Sequence, residues 1–505
     1  MIGNISMKKI PAIFICLFLC NFCIAQKNDY IWVMGVEYDT FPNGTILDFN
    51  HTPVRVSPNN ADINFWWTDS DMCDSLGTLL FYTNGVNILN AGGNVMDGGY
   101  HIYNCDSTYY GNEGCPVAQS ILSLPFPGFH QKYVNIMGQF SFWDVAGQNY
   151  QNGGLSSLFY NVIDMNELGG KGRLTETRNP ILKDTLAITM AAVKHANGRD
   201  WWILAPKDFS NVYYRILLDT QGIRPVGEQI LGIKNGSYDD SAFSPDGTTY
   251  VNMIKVTNTD FGLNIFRFDR CNGMLSEPTY FHYAPSGTEN PNSYVWGIAI
   301  SPNSRYLYVS TDLLIFQYDL QSRDIENSRT VVATYDGFRD FLNQPTSFGY
   351  PRLAPDGKIY VAPTNYEFYL HAIEAPDSAG IACRVVQRAL SLPSPNRALP
   401  NYPNFRLGAS KVVCQAAGSA LQGTLSPNPT NGSSGLSLTL SSPVTGAGTL
   451  GIYDIVGRQI RSYPIAAGSE SYMMDITGLA AGAYICTVLD GGKWVWAGKF
   501  VVVNP

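Results

Sequence analysis

The chain has 505 residues, more than one ordinary hydrophobic core accommodates, so two or more domains are expected. It is 45% hydrophobic and 13% aromatic but only 15% charged, and its 48 Gly and 29 Pro suit short strands joined by tight turns, an all-β composition. A net charge of −8 with no Lys/Arg-rich run excludes the concentrated basic surface that nucleic-acid binding requires.

At the N-terminus, Lys8 and Lys9 precede an apolar run over residues 10–23, and Cys23 and Ala25 place small residues ahead of Gln26. Residues 1–25 read as a signal peptide cleaved before Gln26, too short to be a transmembrane helix. Lipoprotein processing at Cys20 or Cys23 is disfavoured because the bulky Leu19 and Phe22 precede them. Export places the remaining cysteines in an oxidising compartment, where Cys105 and Cys115, flanking a Gly-containing loop, are the expected disulfide pair.

Repeats organise residues 26–407. Phe243-Ser244-Pro245-Asp246-Gly247, Ile300-Ser301-Pro302-Asn303-Ser304 and Leu353-Ala354-Pro355-Asp356-Gly357 each precede an aromatic and β-branched strand. The apolar residue ends one strand, Pro presets φ, and Asp and Gly tolerate the turn. From Ser244 to Ser301 is 57 residues and from Ser301 to Ala354 is 53, a period that predicts four-stranded propeller blades. Looser copies begin at Gly77, Gln131 and Gly198. A seventh blade is expected from residues 30–36 joined to the chain near residues 383–407, which removes free sheet edges. Seven blades are therefore expected, with six or eight as alternatives.

A small, polar stretch over residues 408–424 reads as a linker. Alternating segments beginning at Leu436, Thr449, Gln459, Tyr472, Gly482 and Lys499 then predict a compact β-sandwich over residues 425–505. Within it lie Ser426-Pro427-Asn428-Pro429-Thr430-Asn431-Gly432, then Asp454 with Gly457 and Arg458, then Gly478, Leu479, Gly482 and Tyr484. These motifs, in this order, closely resemble the C-terminal sorting domain of type IX secretion cargo in Bacteroidetes. The resemblance implies Sec export, passage across the outer membrane with the type IX machinery as partner, and removal of the domain between Cys414 and Leu425. The destination implied is the extracellular space or the outer-membrane surface. Residues 30–407 also resemble uncharacterised propeller-like regions of other secreted Bacteroidetes proteins, an architecture without an assigned chemistry.

Motifs for chemistry are sparse. Gly446-Ala447-Gly448-Thr449-Leu450-Gly451 fits the dinucleotide fingerprint as a string, but a strand follows it where the fingerprint needs a helix. No phosphate loop, nucleophile elbow or zinc-protease motif occurs. Asp69, Asp71 and Asp74 offer hard oxygen ligands for Ca²⁺, although without the Gly and Glu of an EF-hand loop they read first as turn residues at a blade edge. Asp239 and Asp240 are adjacent, so on a strand they point to opposite faces. His195 is either a polar contact at the propeller mouth or a turn histidine bonding its neighbours, with the second favoured.

Aromatic pairs make the better case for binding. In Trp66-Trp67 and Trp201-Trp202, alternation along a strand predicts that one ring of each pair faces away from its neighbour, free to stack on a sugar or anchor a protein. Trp143 and Trp296 are further platforms, and ordinary packing between blades is the competing reading. The expectation is a non-catalytic propeller that binds a protein or glycan. A lactonase-like or glycan-cleaving propeller, with its site in the central channel, is the alternative.

Overall fold

The computed structural model describes the chain from Gln26 to Val503 except residues 39–40, 103–113, 116, 118, 145–150, 237–239, 257–259, 284–293, 411–422, 433–434, 445, 447, 455–457 and 491–492. Residues 1–25, the expected signal peptide, and Cys105, Cys414, Asp239 and Gly457 thus lie outside the described residues. Two compact units divide between Lys411 and Val412. No described helix is long and apolar enough to cross a membrane.

The first unit contains seven antiparallel sheets of three or four strands, spanning residues 31–59, 70–90, 121–182, 191–230, 240–283, 295–334 and 348–396. These are the blades of a propeller, numbered 1 to 7 below, and the period read from the sequence is the blade period. The three repeated turns join the first and second strands of blades 5, 6 and 7. Gly247 sits at φ +73° in the first of them, where a Cβ would lie 2.8 Å from both Arg270 and Leu407. Ser304 holds the matching place in the next turn at φ +62°.

Apolar clusters lie between neighbouring blades. Phe261, Phe316 and Tyr318 pack between blades 5 and 6, while Phe348, Ile359 and Tyr308 pack between blades 6 and 7. A strand inside a blade is therefore covered on both faces, unlike a strand of a one-sided sheet.

Blade 1 closes the ring. Its first strand, Ile31–Met34, runs antiparallel to the inner strand of blade 2, Ser70–Cys73, as the contacts Cys73 N–H to Asn28 C=O (2.9 Å) and Val33 N–H to Asp71 Oδ2 (2.7 Å) show. It is thus the second strand of its blade, and the inner position is taken by residues 396–406 returning from blade 7. Val36 N–H reaches Pro395 C=O (3.0 Å), Tyr402 Oη donates to Ile31 C=O (3.3 Å), and Arg406 pairs with Asp29 (2.6 Å). The expected join of residues 30–36 to the chain before residue 407 is made, but without a ladder. Pro395, Pro400 and Pro403 have no N–H to donate, so side chains satisfy the inward polar groups instead.

The second unit is a seven-stranded sandwich. One sheet has three strands, from Gly423–Ser426, Leu436–Leu440 and Ser471–Met474, and the other four, from Gly448–Asp454, Gln459–Ile465, Gly482–Asp490 and Lys493–Val502. Leu438, Ile452, Met474, Cys486 and Phe500 are among its buried core.

Candidate functional site

A four-stranded meander ends at the level where it began, so the inner strands of successive blades all start at the same end of the channel, and the blade-to-blade connections lie there too. Trp67, Asp69, Asp240, Trp296 and Tyr350 are brought to this end. The rings of Trp67 and Trp296 are stacked at 6.3 Å, and Tyr350 stands edge-on to both, at 6.5 and 5.7 Å. Arg397, just past the last strand of blade 7, lays its guanidinium 3.3 Å from the Trp67 ring centroid and 5.5 Å from that of Tyr366. Trp296 Nε1 donates to Asp312 (2.5 Å).

Behind the rings is a layer of buried charge. Arg352 bonds Asp240 (3.1 Å), which also accepts from Ile298 N–H (2.8 Å). Burial raises the Asp240 carboxyl above its ordinary value, and the Arg352 charge offsets part of that. Asp69 is 1% exposed, and neither of its oxygens has a hydrogen-bond partner among the described residues. Burial holds its carboxyl well above the usual range, against the pull of Arg352. Gln119 bridges blades by donating to Ser241 C=O (3.1 Å) while accepting from Ser241 N–H (3.1 Å) and Thr189.

Towards the repeated turns the channel opens into a cavity of about 280 Å³. Small side chains make the room: Ala192, Ala242, Ala299 and Ala354 line it from four successive blades. Residues 400–406 also line it, held by Asn401 to Met190 C=O (3.1 Å) and Asn404 to Pro245 C=O (2.7 Å).

In the second unit the motif residues form turns and edge pins. Asn428 accepts from Val501 N–H (3.1 Å) and donates to Lys499 C=O (2.9 Å), tying the Pro427–Pro429 stretch to the last strand. Asp454 accepts from Arg458 N–H (2.9 Å) and pairs with its side chain (3.1 Å) across the hairpin turn. Gly432 and Gly478 have φ of +70° and +80°, and Leu479 N–H closes the second of these turns onto Ile476. Tyr484 stacks on Phe500 (5.5 Å) and donates to Ala480 C=O (2.9 Å), just ahead of Gly482. Residues 424–503 match the family model described as the secretion system C-terminal sorting domain. The second unit carries a sorting domain.

The likeness to type IX cargo drawn from the sorting-domain motifs therefore holds. No curated protein matches the chain. Among solved structures it is similar to a functionally unknown protein from Desulfotomaculum acetoxidans DSM 771, with 14% identity, 73% of this chain and 98% of that one covered, and a TM-score of 0.37. It is also similar to a putative 6-phosphogluconolactonase from Bacteroides uniformis ATCC 8492 (11%, 73% and 98%, 0.38) and to the periplasmic gluconolactonase of Pseudomonas aeruginosa (13%, 70% and 97%, 0.31). No activity is carried over at these identities and scores.

Outside the sorting domain, the residues singled out from the sequence separate. Trp67 lies in the aromatic cluster and Trp66, next to it, is half-buried. Trp201 and Trp202 are 1% and 5% exposed, and both are core. Trp201 packs edge-on to Phe405 (5.6 Å), and Trp202 bonds Arg270 C=O (2.8 Å) beside Gly273. Neither ring is presented outward, because neighbouring blades cover both faces of their strand. His195 is a turn residue, bonding Cys271 C=O (3.0 Å) and Asn197 N–H (3.1 Å).

The three carboxylates considered for Ca²⁺ are divided. Asp74 caps its own turn through Leu76 and Thr78 N–H (2.8 and 2.9 Å), Asp71 serves the blade 1 seam, and Asp69 faces the channel layer. Among the described residues no group of three or more His, Cys, Asp or Glu is placed to hold a metal. Arg352, Arg397 and Tyr350 escaped the sequence reading. For Arg352 a signal existed: the position before the apolar residue of the repeated turns is Ala242, Ala299 and Arg352, and the third breaks the pattern.

Proposed function

We propose that this chain is a type IX cargo that loses a signal peptide before Gln26, crosses the outer membrane by means of its sorting domain, and acts outside the cell or on its surface as a non-catalytic binding propeller. In this reading residues 26–407 are the working domain, 408–424 the connection and 425–505 the sorting signal. The ligand, a protein or a glycan, meets the aromatic end of the channel.

The observation that carries the binding reading is the convergence of Trp67, Trp296, Tyr350 and Arg397 from four separate segments on one end of the ring. The connections around them leave Tyr38, Tyr294 and Phe341 41%, 44% and 61% exposed. Rigid aromatic and guanidinium groups dominate binding energy where they cluster, because they supply area at low entropic cost.

The test combines fractionation of the native host with ligand capture. A surface or medium form beginning at Gln26 and lacking the sorting domain is expected, and deletion of residues 425–505 should leave a folded propeller in the periplasm. Normal appearance of the truncated protein outside the cell would refute the export reading. Glycan arrays and surface crosslinking should then give a ligand lost on Trp67→Ala with Trp296→Ala. Capture indifferent to that pair of changes would place the binding face elsewhere.

A further inference from the structure

We infer that Asp340 and Glu367 form a proton-dependent latch that holds the loop of residues 336–346 against blade 7, beside the aromatic end of the channel. This rests on the binding reading above and adds a control to the same face.

The loop is a compact turn built on one carboxylate. Asp340 Oδ1 accepts from Leu342 and Gln344 N–H (both 2.8 Å), Asp340 N–H bonds Gln344 C=O (2.9 Å), and Thr346 N–H returns to Phe338 C=O (3.2 Å). One oxygen of Asp340 is left over. Glu367, at the start of the third strand of blade 7, is fully buried and faces it. Asp340 Oδ2 and both Glu367 oxygens have no hydrogen-bond donor among the described residues. Buried carboxyl oxygens left without donors are costly, and a proton held between the two carboxyl groups pairs two of these three oxygens without any third residue. Burial, and then the Asp340 charge, push the Glu367 carboxyl up to about 8, so the shared proton is kept at neutral pH.

The surrounding charges are engaged elsewhere. On the loop, Asp336 pairs with Arg388 of the fourth strand (2.6 Å) and Arg339 donates to Asn343 C=O (2.8 Å). His371, on the strand of Glu367, accepts from Arg388 N–H (3.2 Å), and Arg397 lies over Trp67. Asn396, the strand partner of Glu367, is neutral. Asp340 is the one charged group acting on Glu367 among the described residues.

What the latch holds bears on binding. Phe341 packs on Phe368 (4.9 Å) and Phe41 (5.9 Å) while remaining 61% exposed, and Pro345 C=O accepts from Asn365, next to the Tyr366 that flanks Arg397. Loss of the proton sets two carboxylates against each other and frees the loop, so that Phe341 leaves the aromatic face.

The test is hydrogen exchange of the full-length protein at pH 7 and pH 9, corrected for intrinsic rates. Protection of residues 336–346 should fall about tenfold at the higher pH while the blade strands keep theirs. In Glu367→Gln, and separately in Asp340→Asn, an amide donor replaces the shared proton, and protection should become independent of pH. Equal wild-type protection at the two pH values, or an equal fall in both amide variants, would overturn the latch. The readout needs no ligand, so it stands apart from the binding reading, which fails only if capture at pH 7 is indifferent to Trp67 and Trp296.

Discussion

The guanidinium of Arg397 lies 3.3 Å from the centroid of the Trp67 ring, joining the segment that leaves blade 7 to the one that enters blade 2. The two residues are 330 apart in sequence, and they meet because ring closure sets blade 1 between blade 7 and blade 2. The contact therefore reports both on ring closure and on the integrity of the proposed binding face.

Arg397→Ala should destabilise the propeller by about 1–2 kcal/mol through loss of a partly desolvated cation–π contact. Arg397→Lys should recover less than half of that, because a compact ammonium does not stack as a planar guanidinium does. Urea unfolding of the two variants checks this, and equal stability of both with wild type would remove Arg397 from the closure.

Arg406 and Asp29 form the other clasp of the ring, at 2.6 Å, with Asp29 almost fully buried. Arg406→Ala leaves that carboxylate without its cation and should cost about 3–5 kcal/mol. Adding Asp29→Asn should restore a good part of the loss. A double variant as unstable as the single one would mean that the packing of the Arg406 stem, rather than its charge, is what matters.

Trp201→Ala removes a side chain that is 1% exposed and packed on Phe405, and should cost about 3–5 kcal/mol. Ligand capture at a temperature where the variant is still folded should be unchanged. Capture lost in step with Trp67→Ala would return Trp201 to the binding face.

Burial, reinforced by the nearby Arg388 charge, lowers the His371 imidazole to about 4 from its ordinary 6.5. Between those values the unfolded chain binds a proton that the folded chain refuses. Stability is therefore intact above pH 6.5 and lost as pH falls towards 4, by about 3 kcal/mol. Glu367, raised to about 8, has the opposite sign: its contribution is whole below pH 4.5 and is lost as pH rises through 8. His371→Asn should flatten the acid limb of a melting-temperature profile and leave the alkaline limb alone, whereas Glu367→Gln should do the reverse.

Features that act over a few residues are legible in the sequence. The repeated Pro-containing turns demand their backbone geometry wherever they occur, and their spacing gives the blade period, while the count of seven came from the structure. The sorting domain was legible for the same reason, since Asn428, Asp454, Gly478 and Tyr484 act through turns and a strand edge. Tertiary structure decided which side chains share a space. Alternation along a strand picks out an exposed ring only when one face of the sheet meets solvent, and a blade is covered on both faces, so Trp201 and Trp202 are core while Trp67, at a blade connection, is not. Arg352, Arg397 and the Asp340–Glu367 pair belong to no repeat, and their roles come from segments that ring closure and loop packing bring together.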